Sequence, residues 1–589
     1  MVWRFAVGFT LCAGIATAQD VRLETNRAET ALRAASLLLA LEDDAAPQDY
    51  IAAARADYRR LLTALYAEGY YAGDISITVD GAEAAGIAPL AAPDRIDQVV
   101  ITVDSGARFR FGNVDVSPLP PDATISEALE QGERARSDAI GAGVRDGVNS
   151  WRALGFAKAD VASQRIIARH DDRRLDVNVT LAPGPRLTFG PLLVSGAETV
   201  SDARIRQIAG LPVGEVYNPE ELSRAAARLR RTGTFESVSL TEADDIGPND
   251  TLPINALLSE AKPRRIGFGI EVASIEGLTL SSFWLHRNFL GGAERLRIEG
   301  EVAGISGETG GIDYRLGGTF TRPATFGPDT DYFISGEISR EDEPEFLLDK
   351  IALETGFSRR LTDDLTVRAG VGLLRAREET EAETREYTLL TLPLDATLDR
   401  RDDASNATSG YYIDLTGTPF ISTDGEIQGA RLYADTRGYY SFGKSAALTL
   451  TARAQIGSVL GASISEAPAD FLFYSGGGGT VRGQPYQSLG IDTVDGGETV
   501  TTGGTSFIGA QLEARYTIRE NISLVGFYDF GQVGDTATPG EDAEWHAGAG
   551  FGLRYNTGIG PIRLDLGTQA SGDNAGEDLQ VYIGIGQAF

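Results

Sequence analysis

The sequence predicts a transmembrane 16-stranded antiparallel β-barrel preceded by three small α+β modules of element order β-α-α-β-β. Three observations lead there. From about Arg264 onward, apolar and polar residues alternate with the period of a strand. Ahead of that point, two sequence landmarks recur at one spacing, the mark of an internal repeat. Past the first residues, no apolar run is long enough for a transmembrane helix. A chain of this kind crosses a membrane only as a closed barrel, because lipid offers no water to an open sheet edge.

Residues 1–18 read as a secretory signal: Arg4, an apolar stretch from Phe5 to Ile15, then Ala16-Thr17-Ala18, with cleavage expected before Gln19. Cys12, the only cysteine, lies inside this leader, and Leu11 before it is too bulky for a lipoprotein cleavage motif. The processed chain then has no thiol, so its stability must come from burial or from lipid. The net charge is −31, and removing the leader takes away Arg4 and no acidic residue, giving −32. A net charge of this sign argues against a nucleic-acid partner, since binding a run of phosphates needs an extended positive face.

The modules follow in order. Gly106-Ala-Arg-Phe-Arg-Phe111-Gly112 returns as Gly184-Pro-Arg-Leu-Thr-Phe189-Gly190, a spacing of 184 − 106 = 78. Gly155 and Gly233 each close a helical stretch, and 233 − 155 = 78 again. A looser first copy has helical patterns at Glu24–Leu41 and Tyr50–Glu68, then Gly69, then strands at Asp74–Val79 and Ile96–Val103. Its second helix carries Leu61, Leu62, Leu65 and Tyr66 on one side, and glycine suits the left-handed stop. The expected boundaries are 19–105, 106–183 and 184–262, with the barrel at 263–589.

In the barrel region, Leu448, Leu450, Ala452, Ala454 and Ile456 share one face, while Thr449, Thr451, Arg453 and Gln455 share the other. Leu365 to Leu373 and Leu579 to Ile585 alternate in the same way. One face suits lipid and the other tolerates charge. A soluble β-sandwich would need large apolar side chains on its inner faces, not rows of Thr, Arg, Gln and Gly. Strands of about ten residues with their turns use about seventeen residues each, which leaves room for about sixteen.

One loop interrupts the alternation. From Val459 to Thr502, roughly forty residues lack periodicity, a length that is usually functional or disordered. Phe471, Phe473, Tyr474 and the block VRGQPY give this loop something to pack, which favours a folded insertion. Its four successive glycines, Gly476 to Gly479, lead to a lone Arg482 followed by Gly483. In the next two strands, parity places Glu513 and Asp529 on the same inner face. Arg482 could bridge both through charge-assisted bonds that lysine cannot reproduce. Alternatively, Arg515 already neutralises the carboxylates and Arg482 is solvated.

At these residues the chain resembles a family. VRG in a long loop, Glu in one strand, F-x-D-x-G in the next and GAGFGLRYNTGIGPIRLDLG after them are similar to the outer-membrane assembly and secretion barrels that include BamA, TamA and the two-partner secretion transporters. The resemblance implies periplasmic POTRA modules, sixteen strands, and a loop anchor in the lumen at Arg482, Gly483, Glu513, Asp529 and Gly531. The chain departs from the family at Gln484, where an aromatic usually follows Arg-Gly. BamA has five POTRA modules and the two-partner transporters two, so three imply a TamA-like member. Such a member works with a TamB-like periplasm-spanning protein, outer-membrane client proteins and the lipid bilayer.

A lateral seam is expected between the first strand, near Ile266–Val272, and the last, near Leu579–Phe589. Gly267, Gly269, Gly584 and Gly586 weaken it, and Phe589 ends it. No enzymatic site, metal or cofactor is expected. His170, His286 and His546 are scattered and read as surface or girdle residues, and the glycine loop lacks a phosphate-binding lysine. A passive porin would leave the three modules unexplained.

Overall fold

The structure, a computed structural model, describes residues 20–42, 45–88, 92–308, 310–380, 383–443, 447–495, 498–519, 521–540, 543–557, 560–572, 575–576 and 578–585. The proposed leader, Gly586 and Phe589 lie outside the described residues. The chain divides into two compact units, Met1–Pro191 with Pro212–Glu221 and Ala243–Pro253, and Leu192–Leu211 with Leu222–Glu242 and Ile254–Phe589.

In the first module the strand Asp20–Thr25 runs parallel to Gln98–Asp104, with Val21 opposite Val99 and Leu23 opposite Ile101. The sequence pattern placed Glu24 in a helix. The alternation of Val21 and Leu23 with charged neighbours wins instead, and the helix is the shorter Glu29–Ala35. The long helix Pro47–Ala67 presents Ile51, Leu61 and Leu65 to Ile77, Val99 and Ile101 in one buried cluster. Asp57 of that helix is buried, yet satisfied: it accepts from Ser36 Oγ at 2.6 Å and from the Leu37 and Leu38 N–H at 2.8 and 3.1 Å.

The second module pairs Arg110–Ser117, Arg174–Ala182 and Asp160–Arg169 in that spatial order, covered by the helix Ser137–Ala153. Its expected first helix is reduced to one 3₁₀ turn, Glu127–Leu129. Pro118, Pro120 and Pro121 remove three donors from the stretch where that helix would begin. The third module has the full element set: strands Thr188–Ser195, Phe235–Glu242 and Thr251–Glu260 with helices Asp202–Ala209 and Pro219–Arg231. Its sheet has the same first-third-second order.

The repeat reappears as a joint. The Phe109 N–H donates to the Gly69 carbonyl at 2.9 Å, and the Leu187 N–H to the Gly155 carbonyl at 2.8 Å, with 187 − 109 = 78. Both glycines have positive φ, 78° and 99°, so each ends its helix in the left-handed turn that exposes this carbonyl.

Sixteen antiparallel strands, from Arg264–Ala273 to Leu579–Ile585, close into a barrel. The eighth is in two pieces, Thr384–Thr391 and Leu394–Asp399, because Pro393 between them has no N–H for the ladder. Ile266, Phe268, Ile270, Leu512, Tyr528 and Ile583 point outward and are exposed, as a lipid-facing band requires. The inner face is filled unevenly: the loop root packs on Leu348, Leu374, Leu389 and Phe420 of the sixth to ninth strands, and its arginine sits deeper against later ones. Thr451, Gln511, Glu513, Asp529 and Asp565 in the eleventh to fifteenth strands are buried, whereas Arg297 and Glu299 in the third keep 44% and 52% of their side-chain surface exposed. The filling is the loop between Leu448–Leu460 and Ser506–Arg519, which carries the short hairpin Ile491–Asp495 and Glu498–Thr502.

Candidate functional site

The loop is folded, and aromatic rings hold its root. Phe471 meets Phe420 edge-on at 5.0 Å, and Phe473 stacks between Tyr433 and Phe507 at 6.2 Å from each. Polar tethers add to these. Lys350 Nζ lies 2.8 Å from Asp470, Glu378 accepts from the Ala469 N–H at 2.9 Å, and Arg431 Nε donates to the Phe471 carbonyl at 3.1 Å.

Beyond the glycine run the chain delivers Arg482, which is only 1% exposed. Its Nε and Nη2 donate to the two oxygens of Asp529 at 2.7 and 2.9 Å, a bidentate fork. Nη1 donates to Glu513 at 2.6 Å and lies 3.4 Å from Asp565. The Arg482 N–H adds a bond to Asp529 at 3.1 Å, and the guanidinium sits 3.7 Å above the centre of the Phe527 ring.

The alternative in which Arg515 takes the carboxylates in place of Arg482 does not hold, because both do. Arg515 Nε donates to Glu513 Oε2 at 2.8 Å while Arg482 uses Oε1. Arg554 completes the set, at 3.5 Å from Glu513 and bonded to Asp565 through Nη1 at 2.5 Å and Nη2 at 3.2 Å. Three guanidinium groups thus face three carboxylates, and the buried cluster is neutral. Arg554 and Asp565 were missed in the sequence. Their parity marked them as inward, and only the barrel's curvature brings them to the same point.

The loop's path depends on glycines in the wall. A Cβ on Gly531 would collide with Ser475 and Val481, and one on Gly548 with the Arg482 carbonyl. Gly483 has φ of 90°, and a Cβ there would strike the Thr568 backbone. Gln484, where the family has an aromatic, is buried and donates from Nε2 to the Ala547 carbonyl at 2.8 Å. Tyr486 donates its hydroxyl to Glu343, in the turn after the strand Thr330–Asp342, at 3.1 Å. His546 is a correction to the sequence reading: it is buried, with Nε2 2.8 Å from Ser475 Oγ, and so belongs to the loop's seat and not to a surface girdle.

The same loop reaches both sides of the closure. The Gly478 N–H donates to Glu276 at 3.1 Å, in the turn after the first strand. The Gly483 N–H donates to the Tyr582 hydroxyl at 3.2 Å, on the last strand. Among the described residues the first and last strands pair only at Val272 with Ile583 and Ala273 with Tyr582. Ser274 adds two bonds at 3.1 Å, its N–H to the Val581 carbonyl and its Oγ accepting from the Val581 N–H. Arg563 on the fifteenth strand forms an ion pair with Glu271 on the first, lying across Gly584, where a Cβ would crowd its guanidinium. Gly267 and Gly269 lie on the first strand ahead of the paired residues.

A closed barrel with α+β modules ahead of it and a loop pinned in its lumen by one arginine defines a class of outer-membrane barrel. Residues 288–589, just over half of the chain, match the family model described as the Omp85 superfamily domain, and residues 187–260 match the POTRA model, described as a surface antigen variable number repeat. The chain belongs to the Omp85 superfamily. Its fold is similar to that of BamA from Haemophilus ducreyi lacking POTRA domains 1-3, with TM-score 0.64 at 15% identity over 81% of this chain and 100% of that one. It is also similar to CdiB from Acinetobacter baumannii, with TM-score 0.51 at 12% identity over 81% of this chain and 89% of that one.

Proposed function

We propose that this protein is a TamA-like assembly factor that inserts or translocates autotransporter-like clients at the outer membrane, without catalysis. The modules at 19–105, 106–183 and 184–262 act as periplasmic POTRA domains and receive clients and a TamB-like partner. The observation that carries the reading is the seam: among the described residues its ladder has two residue pairs, and the lumen loop is bonded to both of its sides. A short ladder is inexpensive to part, and a parted strand edge offers main-chain groups to an incoming client strand. The family's two-partner secretion transporters are the nearest alternative, and the third module weighs against them.

The test is a disulfide between cysteines introduced at Val272 and Ile583, which are register partners. The only natural cysteine, Cys12, lies in the expected leader, so the background is clean. Locking the seam should stop client assembly under oxidising conditions, and reduction should restore it. Client assembly that continues with the seam locked rejects lateral opening.

A further inference from the structure

Where the third module meets the barrel, within one compact unit, the charge runs against that of the rest of the chain. A cavity of about 290 Å³ is lined by four arginines, Arg228, Arg231, Arg295 and Arg360, and by two aspartates, Asp329 and Asp331. The helix Pro219–Arg231 supplies the first two arginines, and inward positions of barrel strands supply Arg295 and Arg360. In a chain of net charge −31, a pocket that carries +2 is not a sample of the average surface.

The charges are not all spent within the pocket. Asp329 is shared by two guanidinium groups: Arg228 donates Nε and Nη2 at 3.0 and 2.7 Å, and Arg231 donates Nη2 at 2.9 Å. Asp331 accepts from the Ala324 N–H at 3.3 Å, and among the described residues no ion pair within 4.0 Å joins it to Arg295 or Arg360. Four guanidinium groups against two carboxylates leave two positive charges over in the pocket, and Arg295 and Arg360 are the pair without a carboxylate partner there among the described residues. Thr321 and Ser358 place hydroxyls on the same wall.

We propose that this cavity binds a phosphate-class oxyanion, either free or as the headgroup of a membrane lipid. Planar guanidinium forks match a tetrahedral oxyanion through paired N–H donors. The excess of two charges also balances a phosphate better than it balances a single carboxylate. The volume holds one such group and excludes a folded chain. Bound there, the anion would tie the helix Pro219–Arg231 to the barrel wall through Arg231 on one side and Arg295 and Arg360 on the other. The proposal does not depend on the client class.

The experiment uses the full chain in detergent micelles, with inorganic phosphate as the first probe. Phosphate should raise the thermal midpoint saturably, and chloride at the same ionic strength should not. The double variant Arg295→Gln, Arg360→Gln should weaken phosphate binding by about tenfold or more. Should that variant fail to fold, Ser358→Ala with Thr321→Val keeps every charge and should weaken binding by a smaller factor. Native mass spectrometry then separates the sources. Phosphatidylglycerol retained in preference to phosphatidylcholine, and displaced by phosphate, identifies a headgroup site, whereas equal retention of the two lipids with saturable phosphate binding identifies a free anion. Binding of neither probe, equal binding by the folded variants and the wild type, or displacement of phosphate by a tetraglutamate peptide at lower concentration than phosphate itself overturns the proposal.

Discussion

Arg482 is buried among three carboxylates, and its removal leaves the buried cluster with an excess negative charge. Breaking a buried pair of this kind typically costs about 3–5 kcal/mol. Arg482→Ala should therefore free the loop from its seat, and protease added from outside should cut between Gly476 and Gly490 while the strand ladder keeps the barrel folded. Arg482→Lys should rescue little, because an ammonium cannot hold Asp529 through two parallel bonds and reach Glu513 as well. Unchanged protection of the loop in Arg482→Ala would remove the anchor role. The contact was half legible in the sequence: a lone arginine after four glycines and two inward carboxylates on adjacent strands allow it, but they equally allow Arg515 to take the carboxylates, and the structure has both arginines on Glu513. Arg554, Asp565 and Tyr582 were not legible in that way. Each is one more inward residue until three-dimensional closure picks it out, and a buried glycine such as Gly548 shows its purpose only when the loop lies on it.

At the scale of elements, strand parity read correctly where one face meets lipid and the other does not, as in Leu448–Leu460. It read less well where short modules pack on all sides. Only Glu24 and Thr25 of the opening strand Asp20–Thr25 fall in the stretch that reads as a helix, and in the second module the expected first helix is a single turn, because proline placement outweighs a weak helical pattern there. One ionisable group makes an element's stability depend on pH. Burial pushes the Glu260 carboxyl up, but the Thr199 hydroxyl and the N–H groups of Val200, Thr199 and Glu198 outweigh that and hold it below its ordinary value of 4.5. A carboxyl lowered by folding stabilises the fold at pH above its unfolded value, and that contribution is lost as pH falls through the folded value. The turn before the helix Asp202–Ala209 should therefore open to pepsin as pH drops below about 4.5, and Glu260→Gln should open it already at neutral pH, to a neutral protease. A turn that resists cleavage equally in both proteins and at both pH values would show that Glu260 does not hold it.

For the whole molecule, the unequal filling of the lumen has a mechanical meaning. The wall from the eleventh to the fifteenth strand is backed by the loop, by a neutral set of interlocked charges and by stacked rings, so it behaves as a stiff rib. In the wall formed by the first strands, by contrast, Arg297 and Glu299 pair with each other at 2.6 Å and remain about half exposed. Deuterium uptake should follow this division, slow in Ser506–Thr557 and faster by an order of magnitude or more in Arg264–Ile305; equal uptake would contradict it. When a thin-walled ring is stiffened along one arc, any strain placed on it is taken up by the other arc. The join between first and last strands lies where the two arcs meet, so a modest push from inside is concentrated on that join, at Val272 to Ser274 and Val581 to Ile583, instead of being shared around the circumference.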